Sequence, residues 1–249
     1  MEAHQGTAMF LPAWNEAENL PSVVAEAVTY LRSREEPFTV IIVDDGSTDH
    51  TVETAQELEE LYPGCVRFVR HEHNMGYGGA LRTGFGEALK TGHAWIGFCD
   101  ADGQFMPKDI GKLIDKAIES GSDIAIGYRI ERADSLKRRI MGRAWHELSR
   151  WALGYDAIDV DCGFKVFRRH AMEDIYPQLG GEHAVISPEL LARAYRGGHR
   201  IIQTGVDHFP RRHGEQSGSS PTVIWASLMG LMTLRQQINQ TPSFKRELA

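Results

Sequence analysis

Cysteine is scarce in this chain, and the few cysteines that occur lie far apart. There are only three among 249 residues, at Cys65, Cys99 and Cys162. An odd number at such wide spacing excludes a disulfide framework and a clustered cysteine site for zinc. Free cysteines of this kind suit a reducing compartment, so we expect a cytoplasmic protein.

An excess of basic residues and long apolar runs are also missing. Lysine and arginine number 27 against 34 aspartate and glutamate residues, a formal net charge of -7, which argues against a general nucleic-acid partner. No stretch reaches the roughly 18–20 apolar residues that a membrane span requires. Residues 1–6 (Met-Glu-Ala-His-Gln-Gly) lack the basic start and apolar core of a signal peptide.

What the chain does contain is a regular alternation of strand-like and helix-like segments. Short apolar segments at residues 7–12, 38–43, 66–69, 94–99 and 123–127 predict strands, and segments with helical spacing lie between them. Such β–α repetition predicts an α/β fold, in which a mostly parallel sheet carries helices on both faces.

Two carboxylates end the strand predicted at residues 94–99. Asp100 and Asp102 are one residue apart, and Gln104 follows them. Ligands bind at the carboxyl ends of strands in open α/β sheets, and two neighbouring carboxylates need a cation to share. Oxygen ligands and substrate phosphates suit Mg²⁺ or Mn²⁺, so we predict a metal-bridged nucleotide diphosphate site. The alternative is an acidic turn after a buried strand.

A second acidic loop follows the strand at residues 38–43. Residues 44–49 read Asp-Asp-Gly-Ser-Thr-Asp, and Thr48 or Asp49 can cap the next helix. Turn and capping chemistry alone would explain Asp44 and Asp45. The loop has more aspartates than capping needs, so one of them could instead accept hydrogen bonds from a ribose or a base edge.

Basic residues gather in the second half of the chain. Lys137, Arg138, Arg139 and Arg143 belong to a helix that is either a solvated face or an anion site. The loop at residues 208–218 carries two arginines and is either ordinary surface or a segment that closes over a diphosphate. Residues 223–234 are apolar but short, which indicates a docked C-terminal helix or a helix at a membrane surface.

Five motifs then occur in a fixed order along about residues 7–220. The motifs are residues 12–16 (Pro-Ala-Trp-Asn-Glu), 44–49, 74–80 (Asn-Met-Gly-Tyr-Gly-Gly-Ala), 100–104 (Asp-Ala-Asp-Gly-Gln) and 163–165 (Gly-Phe-Lys). In order and spacing they resemble the family 2 glycosyltransferases, and most of all the polyprenyl-phosphate sugar synthases of the dolichol-phosphate mannosyltransferase type.

The resemblance implies a GT-A fold, a Rossmann-like sheet flanked by helices, with a nucleotide-sugar donor, Mg²⁺ or Mn²⁺, and inversion at the anomeric carbon. Asp102 and Gln104 would ligate the metal, and Arg129 and Arg211 would hold the diphosphate. Arg138 would bind an acceptor phosphate. The implied donor-binding residues are Pro12, Ala13, Asn15, Glu16, Asp44, Asp45, Asn74, Asp100 and Ala101.

The resemblance also implies a division of the chain. Residues 1–220 would form the glycosyltransferase domain, with a donor half at 1–130 and an acceptor half at 131–220, and residues 221–249 would form a C-terminal helix and tail. A phosphate acceptor is already ionised at neutral pH and needs no strong base. A hydroxyl acceptor needs one, and Asp161 or Asp159 is the candidate.

Three departures from the family pattern bear on the acceptor. Gly142 stands where the lipid-phosphate helix normally has serine, and residues 214–218 (Gly-Glu-Gln-Ser-Gly) lack the family's lysine. The Gln-x-x-Arg-Trp signature of processive synthases is absent, so we expect transfer of a single sugar.

Three hypotheses follow. The main one is transfer to a polyprenyl phosphate at the inner membrane surface, with peripheral membrane contact. The second keeps the donor chemistry but uses a small soluble acceptor, such as a secondary metabolite or nucleoside. The third is a binding module for nucleotide sugars without catalysis. A nucleotidyltransferase would need a glycine-rich loop with lysine near the start, and residues 11–20 have none.

Overall fold

The computed structural model describes residues 5–130, 136–180, 185–211, 213–214 and 221–240, with residues 136–140 and 221–226 described by their backbone alone. The strands are β1 (Thr7–Ala13), β2 (Phe38–Asp44), β3 (Val66–Arg70), β4 (Trp95–Cys99), β5 (Ile124–Arg129), β6 (Phe164–Arg168) and β7 (Ile201–Val206). The helices are α1 (Leu20–Ser33), α2 (Thr51–Leu61), α3 (Gly76–Lys90), α4 (Asp109–Ser120), α5 (Leu136–Leu153), α6 (Arg169–Ile175), α7 (Ile186–Arg196) and α8 (Pro221–Gln240).

The strands form one sheet in the order β3-β2-β1-β4-β6-β5-β7. Strand β6 runs antiparallel to both of its neighbours, and the other pairings are parallel. The chain moves outward from β1 to β3 and then returns to β4 on the other side of β1. This reversal makes the gap between β1 and β4 the switch point of the sheet, where ligands bind in folds of this type.

Both faces of the sheet are covered by helices, which explains why the inner strands are almost wholly apolar. In β2, Val40, Ile41, Ile42 and Val43 have no exposed surface. Successive side chains of a strand point to opposite faces. Ile41 and Val43 therefore belong to one hydrophobic core, and Val40 and Ile42 belong to the other.

Four phenylalanines pack together beneath the switch point. The ring centroid of Phe10 lies 4.8 Å from that of Phe85 and 5.4 Å from that of Phe98. Phe85 also contacts Phe167, at 5.4 Å. Helix α3 packs closely on β1 at Gly84, where an added Cβ would lie 2.2 Å from the Phe10 ring. The aromatic cluster thus fixes α3 against the two strands that border the gap.

The predicted fold class is confirmed, with two local differences. Helix α6 was not predicted, because its seven residues are too few to show a helical period. The predicted cap of α2 is shifted, since the helix begins at Thr51 and Asp49 does not precede it directly. Asp49 Oδ1 instead accepts a hydrogen bond from the Thr51 N–H at 3.0 Å.

Helix α8 packs against α5 and α7. Leu231, Leu234 and Ile238 are buried in this contact, while Met229 and Met232 are 50% and 66% exposed. This packing agrees with the first of the two interpretations of residues 223–234, a docked helix. Among the described residues, no helix combines the length and the apolar character needed to cross a bilayer.

The contact between Gly84 and Phe10 gives a test of the packing. Gly84→Ala should lower the free energy of unfolding by about 1–3 kcal/mol, because overpacking outweighs the ~0.5–1 kcal/mol that alanine gains over glycine within a helix. Urea unfolding measures this change. Gly86→Ala is the control in the same helix, since its added methyl would meet the outer end of the Tyr176 side chain, 2.6 Å from the hydroxyl oxygen, and not a fully buried ring. Equal stabilities of the two variants would contradict the prediction.

Candidate active site

Strands β1 and β4 separate beyond the aromatic cluster and open a crevice. Their parallel pairing ends at Phe10 and Phe98, whereas β1 continues to pair with β2 as far as Ala13 and Asp44. The loops after β1, β2 and β4 therefore reach the same edge of the sheet on either side of the gap. Both acidic motifs lie at this edge.

The loop after β4 carries the two carboxylates of the central motif. The Tyr77 hydroxyl donates a hydrogen bond to Asp100 Oδ1 at 2.8 Å, and the Gln104 N–H donates to Asp102 Oδ1 at 3.0 Å. The side-chain nitrogen of Gln104, Nε2, donates to the Phe209 carbonyl at 3.1 Å. This contact sets the orientation of the amide, whose oxygen is the atom that can ligate a cation.

Asp100 and Asp102 repel each other where solvation is poor. Loss of solvation, and then the charge of Asp102, raise the pKa of Asp100 to about 7. Loss of solvation also raises the pKa of Asp102. Gly163 lies so close that a Cβ there would be 1.9 Å from Asp100 Oδ2, so backbone covers this side of the carboxylate. Protonation of one aspartate, or a nearby cation, relieves the repulsion.

The ligand atoms of this loop suit a hard divalent cation. Asp100, Asp102 and Gln104 offer carboxylate and amide oxygens, which Mg²⁺ and Mn²⁺ prefer. The Asp102 side chain is 15% exposed, so it is reachable from solvent. Because two carboxylates that are hard to ionise together gain from a positive ion, these residues fit such a metal.

Arg211 connects the loops on the two sides of the crevice. Its guanidinium donates to Glu16 Oε1 in the loop after β1, and another of its nitrogens lies 3.6 Å from Asp102 Oδ2. The Arg211 side chain is only 16% exposed, so both contacts are partly shielded from solvent. The structure thus brings together Arg211 and Asp102, which the sequence analysis had assigned to one site.

The segment around Arg211 contacts both loops through its backbone as well. The Phe209 N–H donates to the Gln104 carbonyl at 2.9 Å. The Asn19 amide donates to the His213 carbonyl at 3.3 Å. The described part of this segment therefore lies across the mouth of the crevice. Arg212 and residues 215–220 lie outside the described residues.

The loop after β1 is joined to the loop after β2. Asn15 has a φ of 56°, in the left-handed region that residues other than glycine seldom adopt. The Asn15 N–H donates to Ser47 Oγ, and Asn15 Oδ1 accepts from the Thr48 N–H, both at 2.8 Å. These contacts hold the backbone of Asn15 in place and join the two loops.

Glu16 is a buried anchor in the same loop. Its N–H donates to Thr51 Oγ1 at 2.8 Å, and its carboxylate accepts from Asn19 Nδ2 at 2.7 Å in addition to Arg211. Loss of solvation raises the pKa of Glu16, while the contacts with Asn19 and Arg211 oppose the rise. Glu16 therefore depends on Arg211 to balance its charge.

Asp44 is buried in the turn after β2, and its predicted contact with the donor stays a prediction. The Asp44 side chain has no exposed surface, and its Oδ1 accepts a hydrogen bond from the Ser47 N–H at 3.2 Å. It supports the turn at Gly46, whose φ is 68°. Pro12 and Ala13 are also buried, at the end of β1 beside this turn.

Asp45 shapes the glycine-rich loop. Its Oδ1 accepts from the Met75 N–H at 2.8 Å and lies 2.8 Å from His71 Nδ1. The other ring nitrogen of His71 lies 2.9 Å from the Thr83 hydroxyl of α3. Asn74, in the same loop, is exposed to solvent. His71 was not identified from the sequence, because nothing in its neighbours marks it as a partner of Asp45.

Arg129 is paired with another side chain, and its predicted role in holding the diphosphate stays a prediction. Arg129 Nε and one terminal nitrogen bond the two oxygens of Asp159, at 2.6 and 2.8 Å. The two side chains are only 13% and 6% exposed. The planar fork of the guanidinium is thus engaged by Asp159. The charge of Arg129 still reaches the acidic pair, where it lowers the pKa of Asp100 and of Asp102 against the larger effect of lost solvation.

This ion pair distinguishes the two aspartates that the sequence left open as a base. Asp159 is bound to Arg129, whereas Asp161 is accessible to solvent and takes a hydrogen bond from Trp145 of α5. Protein surrounds Asp161 on its other sides. The resulting loss of solvation, and then the charge of Asp159, raise the pKa of Asp161. Asp161 is therefore better placed than Asp159 to accept a proton.

Lys165 contributes to the site in a way that the sequence did not reveal. It is fully buried, and its Nζ donates to the carbonyls of Val160 and Cys162 at 3.1 and 2.5 Å. Loss of solvation lowers the pKa of Lys165. Its hydrogen bonds hold the loop at residues 159–163, which contains Asp161, against the sheet. A lysine within the apolar strand FKVFR was the available signal.

The Arg138 side chain lies outside the described side chains.

Comparison with known proteins places the chain in a family. Residues 9–176 match the model of glycosyl transferase family 2. The chain belongs to this family, and it is a glycosyltransferase.

Two curated relatives show the extent of the likeness. Polyprenol monophosphomannose synthase of Mycolicibacterium smegmatis is 28% identical over 224 residues, which cover 87% of this chain and 83% of that protein. A dolichyl-phosphate beta-glucosyltransferase of Trichomonas vaginalis is 29% identical over 215 residues, which cover 80% of this chain and 64% of that protein. The chain thus spans less than two thirds of the second relative.

Solved structures agree on the fold. Glucosyl-3-phosphoglycerate synthase from Mycobacterium tuberculosis, in complex with Mn²⁺, UDP-glucose and phosphoglyceric acid, matches with a TM-score of 0.65 and 16% identity over 97% of this chain and 82% of that chain. The same enzyme with Mg²⁺ and UDP matches with a TM-score of 0.65. At this identity the likeness confirms the GT-A architecture alone.

The acidic pair generates a prediction on stability and pH. Because the pKa of Asp100 rises from 3.8 to about 7, the folded protein binds this proton more tightly than the unfolded chain. Without divalent cations, the free energy of unfolding should therefore fall as pH rises through this window. Asp100→Asn should remove that loss and gain about 1–3 kcal/mol over the wild type at pH 7.

Urea unfolding in EDTA at several pH values between 4 and 8 measures the difference. Asp207→Asn, at an exposed aspartate, is the control and should follow the wild-type curve. Wild type and Asp100→Asn with the same pH dependence would argue against a strained acidic pair.

Proposed function

We propose that this glycosyltransferase uses a nucleotide-sugar donor with Mg²⁺ or Mn²⁺ and transfers one sugar, with inversion, to a polyprenyl phosphate. The observation that carries the proposal is the meeting of Asp102, Gln104 and Arg211 at the switch-point crevice. Oxygen ligands for a cation beside a guanidinium are what the diphosphate of a leaving nucleotide requires. The metal ions and UDP bound by the solved relative support this chemistry.

The donor would lie along the loops after β1 to β4. Asn74, Asp100 and Ala101, with the backbone after Pro12 and Ala13, would contact it. Asn15, Glu16 and Asp45 would act by holding these loops in place, since their polar atoms already join one loop to another.

The leaving diphosphate gains negative charge as the glycosidic bond breaks. Asp102 and Gln104 would hold a metal ion, and the ion would supply Lewis-acid stabilisation of that charge. Arg211 would donate hydrogen bonds to the same group. A phosphate nucleophile attacks in its ionised form, so no side chain has to remove a proton. With a hydroxyl acceptor, Asp161 would take that proton.

The acceptor side of the site supports a lipid phosphate. Helix α5 contacts Asp161 through Trp145, so it borders the acceptor loop. On the outer surface of α5 and α8, Trp151, Met229 and Met232 are 73%, 50% and 66% exposed. This apolar surface would contact the inner face of a membrane peripherally, and Arg138 of α5 would bind the acceptor phosphate. The names of both curated relatives point to polyprenyl or dolichyl phosphates.

A second candidate keeps the donor and changes the acceptor. The solved relative binds phosphoglyceric acid, a small soluble acceptor that also carries a phosphate. Gly142 and the missing lysine in residues 214–218 depart from the lipid-phosphate pattern and favour this candidate.

Nucleotide binding tests the donor site. A nucleoside diphosphate with Mn²⁺ should raise the melting temperature of the chain, by the equivalent of about 2.7 kcal/mol at a hundredfold excess over Kd. Asp102→Asn should lose the Mn²⁺-dependent part of the shift and about 10²–10³ in turnover. Asp115→Asn, an aspartate paired with Arg34 on the surface, is the matched control. Full turnover in Asp102→Asn would refute the metal site.

The same screen separates an enzyme from a binding module. The base that gives the largest shift identifies the donor to be tried for turnover. Tight nucleotide binding without turnover on any sugar donor and acceptor would favour the module.

Acceptor assays test the lipid. Sugar should pass to a polyprenyl phosphate and not to the polyprenol that lacks the phosphate. Arg138→Gln should raise the KM for the acceptor roughly 10–100-fold and leave the KM for the donor unchanged, since a charged hydrogen bond contributes about 1.5–3 kcal/mol. Arg143→Gln, at an exposed arginine of the same helix, is the matched control.

Vesicle flotation supplies the second readout. The chain should bind anionic vesicles, and Met232→Glu should weaken that binding while the melting temperature stays the same. Full activity on a soluble phosphorylated acceptor, with no vesicle binding, would reject the lipid acceptor and favour the second candidate.

A further inference from the structure

A second cluster of ionisable side chains lies at the edge of the sheet opposite the crevice. Asp123 precedes β5, His199 precedes β7, and His170 lies in α6 just after the antiparallel strand β6. At about 3.3 Å per residue, β5 places Asp123 about 20 Å from Arg129 at the active-site edge. The proposed sugar transfer therefore gives these three residues no role.

The three side chains are close enough to share one ion. His170 Nε2 lies 3.0 Å from Asp123 Oδ1, and His199 Nδ1 lies 3.8 Å from Asp123 Oδ2. One ligand atom from each residue lies within 4.8 Å of the other two. Tetrahedral Zn²⁺ with bonds of about 2.0–2.1 Å keeps its ligands about 3.3 Å apart, so small side-chain shifts would close the set around an ion.

The second ring nitrogen of His199 faces a carboxylate, at a distance that a small side-chain shift would shorten to a hydrogen bond. Its Nδ1 faces Asp123, and its Nε2 lies 3.7 Å from Asp174 Oδ2. A histidine that ligates through one nitrogen and presents the other to a carboxylate is typical of zinc sites. The His199 side chain is 3% exposed, so packing holds the ring in this orientation.

Backbone hydrogen bonds hold the cluster together without an ion. The Asp123 N–H donates to the Arg200 carbonyl at 2.9 Å, and the Arg168 N–H donates to the Asp123 carbonyl at 2.7 Å. The Arg200 N–H donates to Asp123 Oδ2 at 3.0 Å, while its guanidinium donates to the Ser120 carbonyl. The segments that carry Asp123, His170 and His199 are thus positioned in advance.

We propose that Asp123, His170 and His199 form a binding site for a divalent transition-metal ion, with Zn²⁺ as the ion that the geometry fits. Two imidazoles and one carboxylate favour Zn²⁺ over Mg²⁺, whereas the oxygen ligands at Asp102 and Gln104 suit Mg²⁺. The two sites therefore differ in their ligand chemistry and in the metal ion that each prefers. An ion here joins three segments far apart in sequence, so it stabilises the folded state.

Zinc binding to the full chain tests the site. Excess Mg²⁺ is present throughout, to occupy the oxygen ligands of the crevice. The wild type should bind one equivalent of Zn²⁺ in a competition assay with a chromogenic chelator, and its melting temperature should rise with Zn²⁺. His170→Gln should weaken Zn²⁺ affinity at least tenfold and abolish the shift. His50→Gln, at an exposed histidine beside Glu53, is the control and should behave as the wild type.

Two results would overturn the proposal. One is a wild-type chain that binds no Zn²⁺ in excess Mg²⁺, and the other is His170→Gln binding Zn²⁺ as tightly as His50→Gln. The first would identify the cluster as a hydrogen-bonded network that joins β5, α6 and β7 without a metal.

A measurement on the wild type covers the case in which His170→Gln does not fold. A crystal soaked with Zn²⁺ should show an anomalous scattering peak within bonding distance of His170 Nε2, His199 Nδ1 and Asp123. A peak confined to the Asp102 crevice would reject the site.

Discussion

Two aspartates that resist being ionised together, Asp100 and Asp102, are the constraint on which the active-site edge depends. The surrounding residues either distribute or balance this charge, since Tyr77 donates to Asp100, Arg129 contributes positive charge nearby, and Arg211 lies beside Asp102. None of these contacts fully offsets the cost of ionising both aspartates, because loss of solvation still raises the pKa of both carboxyl groups. A pair of this kind weakens the fold when it stands alone and gains when a cation binds. Such local strain is expected where function, and not stability, decides the residue.

The loops around the site also depend on a balance of charge, which Arg211 provides. It comes from a segment late in the chain, yet it contacts the loop after β1 through Glu16 and approaches the loop after β4 at Asp102. Glu16 is held in place by Thr51 and Asn19, so it cannot follow if Arg211 moves away. Removing the partner of a buried charge is costly, which keeps the segment across the crevice. The two sides of the site are therefore joined by polar contacts through Arg211.

The parallel part of the fold was predictable because its strands are apolar runs that end in polar residues. Parallel strands end at one edge, so the placement of residues 44–49 and 100–104 at the same edge of the sheet followed from the same pattern. Contacts between distant side chains were not predictable. The sequence shows that Arg129 and Asp159 are charged but not that they pair, and it does not show that Asp44 points into the protein. Asp44 and Asp45 are both buried, and their partners Ser47 and Met75 lie in loops whose course the strand pattern does not predict.

The direction of β6 was the least predictable feature, and it has the widest consequences. The short apolar strand Phe164–Arg168 carries no sign of its direction in the sheet. Because it runs antiparallel beside β4, with Phe164 opposite Cys99, the loop before it reaches the active-site edge and brings Asp161 there. Its other end lies at the opposite edge of the sheet, where His170 contacts Asp123. In a parallel arrangement these two groups would exchange edges, and neither the acceptor loop nor the histidine cluster would form. One reversed strand therefore accounts for the place of Asp161 in the candidate active site and for the cluster that we propose as a metal site.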